Sequence, residues 1–559
     1  MYGLIFLYLA GLAVASIDNN KAYDSPSFKA PQLAHRRGEI RKNHKRWEYY
    51  DGKIDFPWGI ASGDPLSDSV ILWTHPLPST EDPRPVCLEY QVSKNPDDWS
   101  NIVASDQVWT TQDVDYSYKV EPTGLERKTT YYYRFVNCAH ESNVSPVGKF
   151  KITPEEDDDE IDKLALGVFS CSNYPYGFFN AYANAAKRDA IDYVVHLGDY
   201  IYEYQADGCK EARHCYGDGQ SMRVKTYIPE PNHEIFSLED YRTRYKSWRS
   251  DADLQALHQS HAWQLIWEDH EVANNTWKAG SADSNDTVAG TYYNVSFTEK
   301  KANALKAYFE WLPIRTVDAD DGLRIWRNFK FGTLADLIML DMRQYNRDLT
   351  DLYYNTDEIR LLREDEHRSL MGGRQEKWFY DRLKNASERG CQWKIIGQQI
   401  VFANFAANNI AAWKGDNPDA WTGYEANRQR MLNTISENNI DNVIVISGDS
   451  HANWVSDITW ENRTGYNTVT GDGALAVKFA GTAVSSPSSW GYNNTLNGYF
   501  ELYLTRSEAT AVYYGINDVR THNAEERVLA TFVVEDKANK LQRPVAGGQL
   551  TGGALAQRG

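Results

Sequence analysis

Residues 164–204 read LALGVFSCSNYPYGFFNAYANAAKRDAIDYVVHLGDYIYEY. LALGVFSCS is a short apolar run of the kind that makes a buried strand, GFFNAYANAAKRD is an amphipathic helix, and DYVVHLGD is a second strand. Strand, helix and strand in one unbroken segment are the unit of a layered α/β domain. Both strands leave the core on residues with donor side chains: Ser170-Cys171-Ser172 at the first, and Gly198-Asp199-Tyr200-Ile201-Tyr202 at the second.

The same grammar continues downstream. AWQLIWEDHE, TLADLIMLD, WKIIGQQIV and NVIVISGDSH are apolar and short, with helical stretches such as EKKANALKAYFEWL and RQEKWFYDRLKNASE between them. From about Ala474 strands return as LAVKFAG, FELYLTR, TAVYYGI and VLATFVVED. Upstream, from Phe56 to about Ile152, VILWTHPL, VCLEYQVS, SYKVEP and TTYYYRFVNC alternate between Pro, Asp and Gly turns, which predicts a small antiparallel sandwich. The acidic stretch EEDDDEID (155–162) reads as a linker. The expected fold is therefore α+β, a β-sandwich followed by a layered α/β domain.

A chain of 559 residues exceeds one compact core. Its formal net charge of -18 opposes nucleic-acid binding, which needs clustered Lys and Arg. Acidity leaves a phosphorylated substrate open, since bound cations can reverse the local field. A mean hydropathy of -0.61 excludes a polytopic membrane protein. The N-terminal MYGLIFLYLAGLAVAS is too short to span a bilayer and ends in Ala13-Val14-Ala15, so residues 1–15 are expected to be a secretory signal peptide, although a basic n-region is missing. Sequons at Asn143, Asn274, Asn285, Asn294, Asn385, Asn462 and Asn493 point the same way. Residues 16–54 carry HRRGEIRKNHKR and read as a basic arm or a pro-segment ending at Lys45-Arg46. In an oxidising compartment Cys209 and Cys215 could staple a small loop, and Cys87 and Cys138 could pair within the strand-rich region.

Four strand ends carry ligand-type residues: Cys171; Asp199 with Tyr202; Glu268-Asp269-His270-Glu271 with Asn274-Asn275; and Gly448-Asp449-Ser450-His451. In layered α/β folds the crevice beyond the strand ends is where ligands bind. Singly, each has a plain alternative: Cys as packing, Gly-Asp as a turn, DHE as a solvated charge run, GDSH as a helix cap. His196, inside its strand, reads as a core histidine. Together they point to a polynuclear metal site. Asp and Asn suit hard divalent cations, whereas a tyrosinate needs a strongly acidic metal such as ferric iron. If the chain turns helically after Asp199, Tyr202 at i+3 returns to the same face, and a second Asp199 oxygen can bridge to another metal. Two metals would favour in-line attack by metal-bound hydroxide. There is no GxSxG elbow, Walker loop or HExxH, and Ser450 lacks an oxyanion-hole signature. Arg343, in LDMRQY, could clamp a phosphate or form a salt bridge with Asp341 or an acidic helix. His270 could protonate a leaving group or orient Asp269.

The blocks FPWGIASGDPLSDSVILWTHPL, SCSNYPYGFFNAY, VVHLGDYIYEY, WEDHEVANN, IMLDMRQYNR, IIGQQIVF and SGDSHANW, in order from about residue 55 to about 535, resemble the PhoD family of alkaline phosphatases and phosphodiesterases. The resemblance implies an immunoglobulin-like domain over 55–152 and a calcineurin-like metallophosphatase domain over 163–535; the Gly-rich end, GGQLTGGALAQRG, reads as the flexible end of a tail over 536–559. It implies Fe3+ with Ca2+. Carried over, the iron ligands would be Cys171, Asp199 and Tyr202 with His451 near the same centre. Asp269, Asn274 and Asp449 would hold calcium, with Asp199 bridging. Cys171 would then be a thiolate outside any disulfide, leaving Cys391 as a free core thiol. Glu268 departs from the Asp often found there, Asn274 lies in a sequon that ligation would exclude from glycosylation, and no twin-arginine signal precedes an apolar run. The expected activity is that of a secreted phosphoesterase acting on phosphate esters. A diesterase of polymeric or lipid substrates and a non-catalytic binding protein are the competing readings.

Overall fold

Parallel strands in two sheets build the α/β core. In the first sheet Lys163–Phe169, Tyr193–His196 and Ala262–Leu265 run parallel. In the second, Ala335–Met339, Trp393–Gly397, Val443–Ser447 and Ala476–Ala480 run parallel, with antiparallel edges at Arg327–Phe331 and Trp454–Ile458. The computed structural model describes residues 48–205, 228–281, 295–318, 321–349, 355–402, 417–460, 465–487 and 496–547, together with three two-residue strands at Tyr23–Asp24, Leu550–Thr551 and Ala554–Leu555. Residues 1–15, nearly all of the basic arm, the Cys209–Cys215 pairing and the sequons at Asn285, Asn294, Asn462 and Asn493 lie outside the described residues.

Strands covered on both faces read as continuous apolar runs, and these do: every residue of Val443–Ser447 and Trp393–Gly397 is buried. Side chains alternate between the faces. Leu337, Met339, Ile395 and Ile444 point into a core shared with Leu166, Val195 and Leu265 of the first sheet. Ile338, Leu340, Ile396 and Val445 point the other way, onto Phe379 and Leu383 of the Gly372–Glu388 helix and Met431, Leu432 and Ile435 of the Glu425–Glu437 helix. The two sheets thus pack face to face with helices outside, and their carboxyl ends open on one side.

The N-terminal region is β-rich as expected, but its strands are divided. Val86–Ser93, Ile102–Thr110, Thr130–Asn137, His140–Val144 and Gly148–Lys151 form an antiparallel sheet of their own. The Cys87–Cys138 disulfide ties two of its neighbouring strands, as the spacing suggested. Ile60–Gly63, Ile71–Thr74 and Tyr118–Val120 instead extend the first core sheet, Ile60–Gly63 pairing in parallel with Ala262–Leu265. The cause lies in Ser62-Gly63-Asp64. A Cβ at Gly63 would collide with the carbonyls of Pro313 and Trp263, so only glycine permits this approach. The buried Asp64 carboxylate then accepts from Arg327 Nη2 at 2.6 Å, Arg327 Nε at 2.9 Å and the Arg315 amide at 2.8 Å. At the opposite edge Gly498–Thr505, Glu508–Ile516 and Glu526–Glu535 complete a ten-stranded sheet. The segment after Glu535 is packed as far as Val545: Leu541 is buried, and Asn539 Oδ1 accepts from the Asn442 amide. Among the described residues no helix is long and apolar enough to cross a membrane.

Candidate metal centre

The strand ends of both sheets meet over this opening. Cys171 follows Lys163–Phe169, Asp199 follows Tyr193–His196, Asp269 and His270 follow Ala262–Leu265, and Asp449 and His451 follow Val443–Ser447. Ligand atoms of Cys171, Asp199 and His451 lie within 4.8 Å of one another, and so do those of Asp199, Asp269 and His270. Asp199 belongs to both groups. Asp449 belongs to neither and stands half-buried at the edge of the cluster. Asn274 is buried in the loop beyond Asp269, at 8% exposure.

The backbone is bent to bring these side chains back over the strand ends. Cys171 (φ 61), Asp199 (φ 54), Asp449 (φ 63) and His451 (φ 51) all occupy the left-handed region. For non-glycine residues that conformation is costly, and it concentrates at functional sites. Gly198, at φ 98, allows the Asp199 and Glu268 turns to touch, since a Cβ there would run into the Glu268 backbone. The predicted return of Tyr202 to the Asp199 face is real, but a bend makes it rather than a helical turn. Tyr202 Oη donates to Asp199 Oδ2 at 3.1 Å and lies 3.3 Å from His451 Nε2 and 2.7 Å from Ser486 Oγ. His451 Nδ1 donates to the Pro487 carbonyl at 2.8 Å, which leaves Nε2 as the nitrogen facing the centre.

The other tyrosines of this stretch pack away from the centre. Tyr200 is buried and pairs with His258 Nε2 at 2.9 Å. His196 is the core histidine expected, held by Tyr182 at 2.9 Å and stacked on Trp263. Ser450 Oγ accepts from the Trp454 indole at 3.1 Å, an arrangement unlike that of a nucleophile with a base.

Two family models match the chain, PhoD-like phosphatase over residues 166–532 and PhoD-like phosphatase, N-terminal domain, over residues 42–154. The chain belongs to the PhoD-like phosphatase family. Alkaline phosphatase D of Bacillus subtilis (strain 168) is 34% identical over 443 residues, covering 77% of this chain and 69% of that relative. The solved structure of PhoD matches with a TM-score of 0.75 at 30% identity, covering 91% of this chain and 95% of the other. Purple acid phosphatase PPD1 from yellow lupin seeds shares the fold, with a TM-score of 0.51 at 11% identity over 86% of this chain and 74% of that one. As a PhoD-like phosphatase the chain is a metal-dependent phosphoric ester hydrolase.

The electrostatics of this PhoD-like phosphatase fit a group of cations. Burial first, then the neighbouring Asp269, Glu271 and Asp449 charges, push the Asp199 carboxyl well above its usual range, against His270. Burial, with Asp199 and Asp449, raises the Cys171 thiol in the same way. Burial raises Asp449 to about 7, against the pull of Arg343. Burial lowers His451 to about 4, so its imidazole is neutral. Packing acids and a thiol together without countercharge is expensive, and bound cations remove that cost. One buried atom says the same: Asp199 Oδ1 has no hydrogen-bond partner.

His270 sits between acids. Burial works to lower its pKa, but Asp269, Glu203 and Asp199 outweigh it and raise it to about 10. Its Nδ1 is 2.7 Å from Glu203 Oε2, and its Nε2 is 3.8 Å from Asp269 Oδ1. Arg343 is fully buried, and its guanidinium is engaged by carboxylates, Nε to Glu268 Oε1 at 2.6 Å and Nη1 and Nη2 to Asp419 at 2.8 and 2.7 Å. Asp341 accepts only the Arg343 amide among these groups, at 2.9 Å. Arg343 thus forms an ion pair, but with Glu268 and Asp419 and not with Asp341 or an acidic helix.

Sequence reasoning assigned no role to Glu203 or Glu271 and did not single out Asp419 or Ser486. Glu271 is buried and accepts from the amides of Tyr200 (2.6 Å), Glu268 (2.8 Å) and Asp199 (3.2 Å), tying the Asp199 and Glu268 turns together. Glu203 and Glu271 were visible as surplus acids inside the motif blocks. Asp419 and Ser486 lie in stretches with no such signal.

Proposed function

We propose that this phosphatase hydrolyses phosphomonoesters, phosphodiesters or both at a mixed Fe3+ and Ca2+ centre. Cys171, Asp199, Tyr202 and His451 would hold the iron, and Asp269, Asn274 and Asp449 the calcium, with Asp199 shared. The observation that carries this reading is the membership of Asp199 in both ligand groups, with one carboxylate oxygen left unpartnered. Bound together, such cations neutralise charge on a phosphoryl group and lower the pKa of a coordinated water.

The chain's own residues supply the rest. His270 presents Nε2 toward the acids of the centre, and it would pass a proton to a departing ester oxygen. Arg343 acts behind the centre by fixing Glu268 and Asp419, and not as a phosphate clamp. The buried Asn274 favours ligation over glycosylation at its sequon. The Cys87–Cys138 disulfide suits a secretory route, with cleavage after residue 15. The antiparallel sheet within residues 86–151 would then be the separate N-terminal unit, with strands 60–63, 71–74 and 118–120 belonging to the catalytic one.

Elemental analysis of the purified protein, with its visible spectrum, tests the centre. About one iron per chain plus calcium is expected, with a charge-transfer band lost in Tyr202→Phe, and Asp199→Ala should abolish hydrolysis. Two divalent metals without colour would remove Tyr202 from the ligand set, and full activity in Asp199→Ala would remove the site altogether. Parallel assays on a monoester and a diester decide the substrate class.

A further inference from the structure

We propose that Glu203 is a positioning residue of the hydrolytic reaction, holding the His270 imidazole with its Nε2 edge toward the metal centre. Glu203 is 1% exposed, and both of its carboxylate oxygens are engaged. Oε2 lies 2.7 Å from His270 Nδ1, while Oε1 accepts the Asn274 amide at 2.7 Å. With Nδ1 held in this way, Nε2 is the nitrogen left to face Asp269, in the group that also includes Asp199. The ring is also fixed laterally, against Tyr202 at 4.3 Å between centroids and edge-on to Tyr204 at 5.3 Å.

Glu203 itself stands on pinned backbone. Its carbonyl accepts the Ile235 amide at 3.1 Å. The carbonyls on either side, of Tyr202 and Tyr204, accept from the buried Arg244 guanidinium, the second at 2.8 Å. A carboxylate on so constrained a segment has one direction in which to point, and the ring it meets inherits that direction.

The inference rests on the role given above to His270. In that reaction a water oxygen forms the new P–O bond while the ester P–O bond breaks. The departing oxygen takes a proton from His270 Nε2, and the proton released by the attacking water restores it. A misdirected ring would slow the step most for leaving groups that need the proton.

The test is steady-state kinetics of the metal-loaded enzyme, Glu203→Gln, His270→Ala and the double variant, on phenyl phosphate and 4-nitrophenyl phosphate. Metal content and melting temperature are recorded for each. Glu203→Gln should lower kcat on phenyl phosphate by roughly 10–100-fold, with a smaller loss on the nitrophenyl ester. KM and metal content should hold, and the double variant should be no worse than His270→Ala. Multiplying losses in the double variant, or an equal loss on both esters with loss of metal, would show that Glu203 acts through the Asn274 loop instead and would overturn the proposal. If Glu203→Gln fails to fold, Glu203→Asp, which keeps the charge but shortens the reach, should show the same leaving-group pattern. An impaired His270→Ala beside an unimpaired Glu203→Gln removes this inference alone. A fully active His270→Ala removes the reading of His270 beneath it.

Discussion

Asp199 shows how much one residue carries here: a left-handed backbone, a phenol on one carboxylate oxygen, no partner on the other, and a place in two ligand groups. Its neighbour Gly198 is the reason the arrangement closes. A side chain at φ 98 is strained in any surroundings, and here it would also strike Glu268. Gly198→Ala should therefore cost about 3 kcal/mol or more, read as a lower denaturation midpoint, and should reduce bound metal. A variant with unchanged stability and metal content would show that the two turns need not touch. At this scale the sequence was informative wherever donor type speaks for itself, as at Cys171, Tyr202 and His451. It was silent where a residue works through geometry. Nothing in DHEV says that Glu271 accepts three backbone amides, because its partners come from two different strand ends.

The elements around these residues also bury histidines that resist protonation. His196 is held by burial at about 3, far below the usual imidazole value of 6.5. Burial, with Arg249 and His196, holds His258 well below its ordinary value too. The folded state binds these protons less readily than the unfolded chain. Their neutral forms therefore favour folding above pH 6.5, and stability falls as the pH drops from there toward about 3. For His196 the full gap corresponds to roughly 5 kcal/mol. The melting temperature should decline steeply below pH 6.5, and His196→Gln, though less stable at pH 8, should show a shallower decline. Parallel pH curves for the two proteins would put the acid sensitivity elsewhere. The elements themselves were legible: apolar runs too short for helices mark the buried strands, and a 3.6 period marks the helices between them. Their pairing was not, because a run such as VILWTHPL carries no record of which sheet it joins.

Across the whole molecule that missing record matters most. Strands 60–63, 71–74 and 118–120 complete the sheet that holds Asp199 and Asp269, and Asp64 ties them to Arg315 and Arg327 across 251 and 263 positions of sequence. A protein beginning at residue 155 would expose the Ala262–Leu265 edge and leave Arg327 buried without its carboxylate. Such a truncation should fail to give a cooperatively melting, active enzyme. Recovery of a soluble, active fragment starting there would show that the N-terminal region is an independent module.

The sequence by itself determined the α/β layering, the four donor-bearing strand ends and the family, because strand period, donor chemistry and motif order are local properties of the chain. Only the tertiary structure decided that the N-terminal strands share the core sheet, that Arg343 pairs with Glu268 and Asp419, and that Glu203 meets His270. Each of those depends on which buried charge finds which partner. In a low-dielectric interior that choice is set by the packing of distant segments and not by neighbours in the chain.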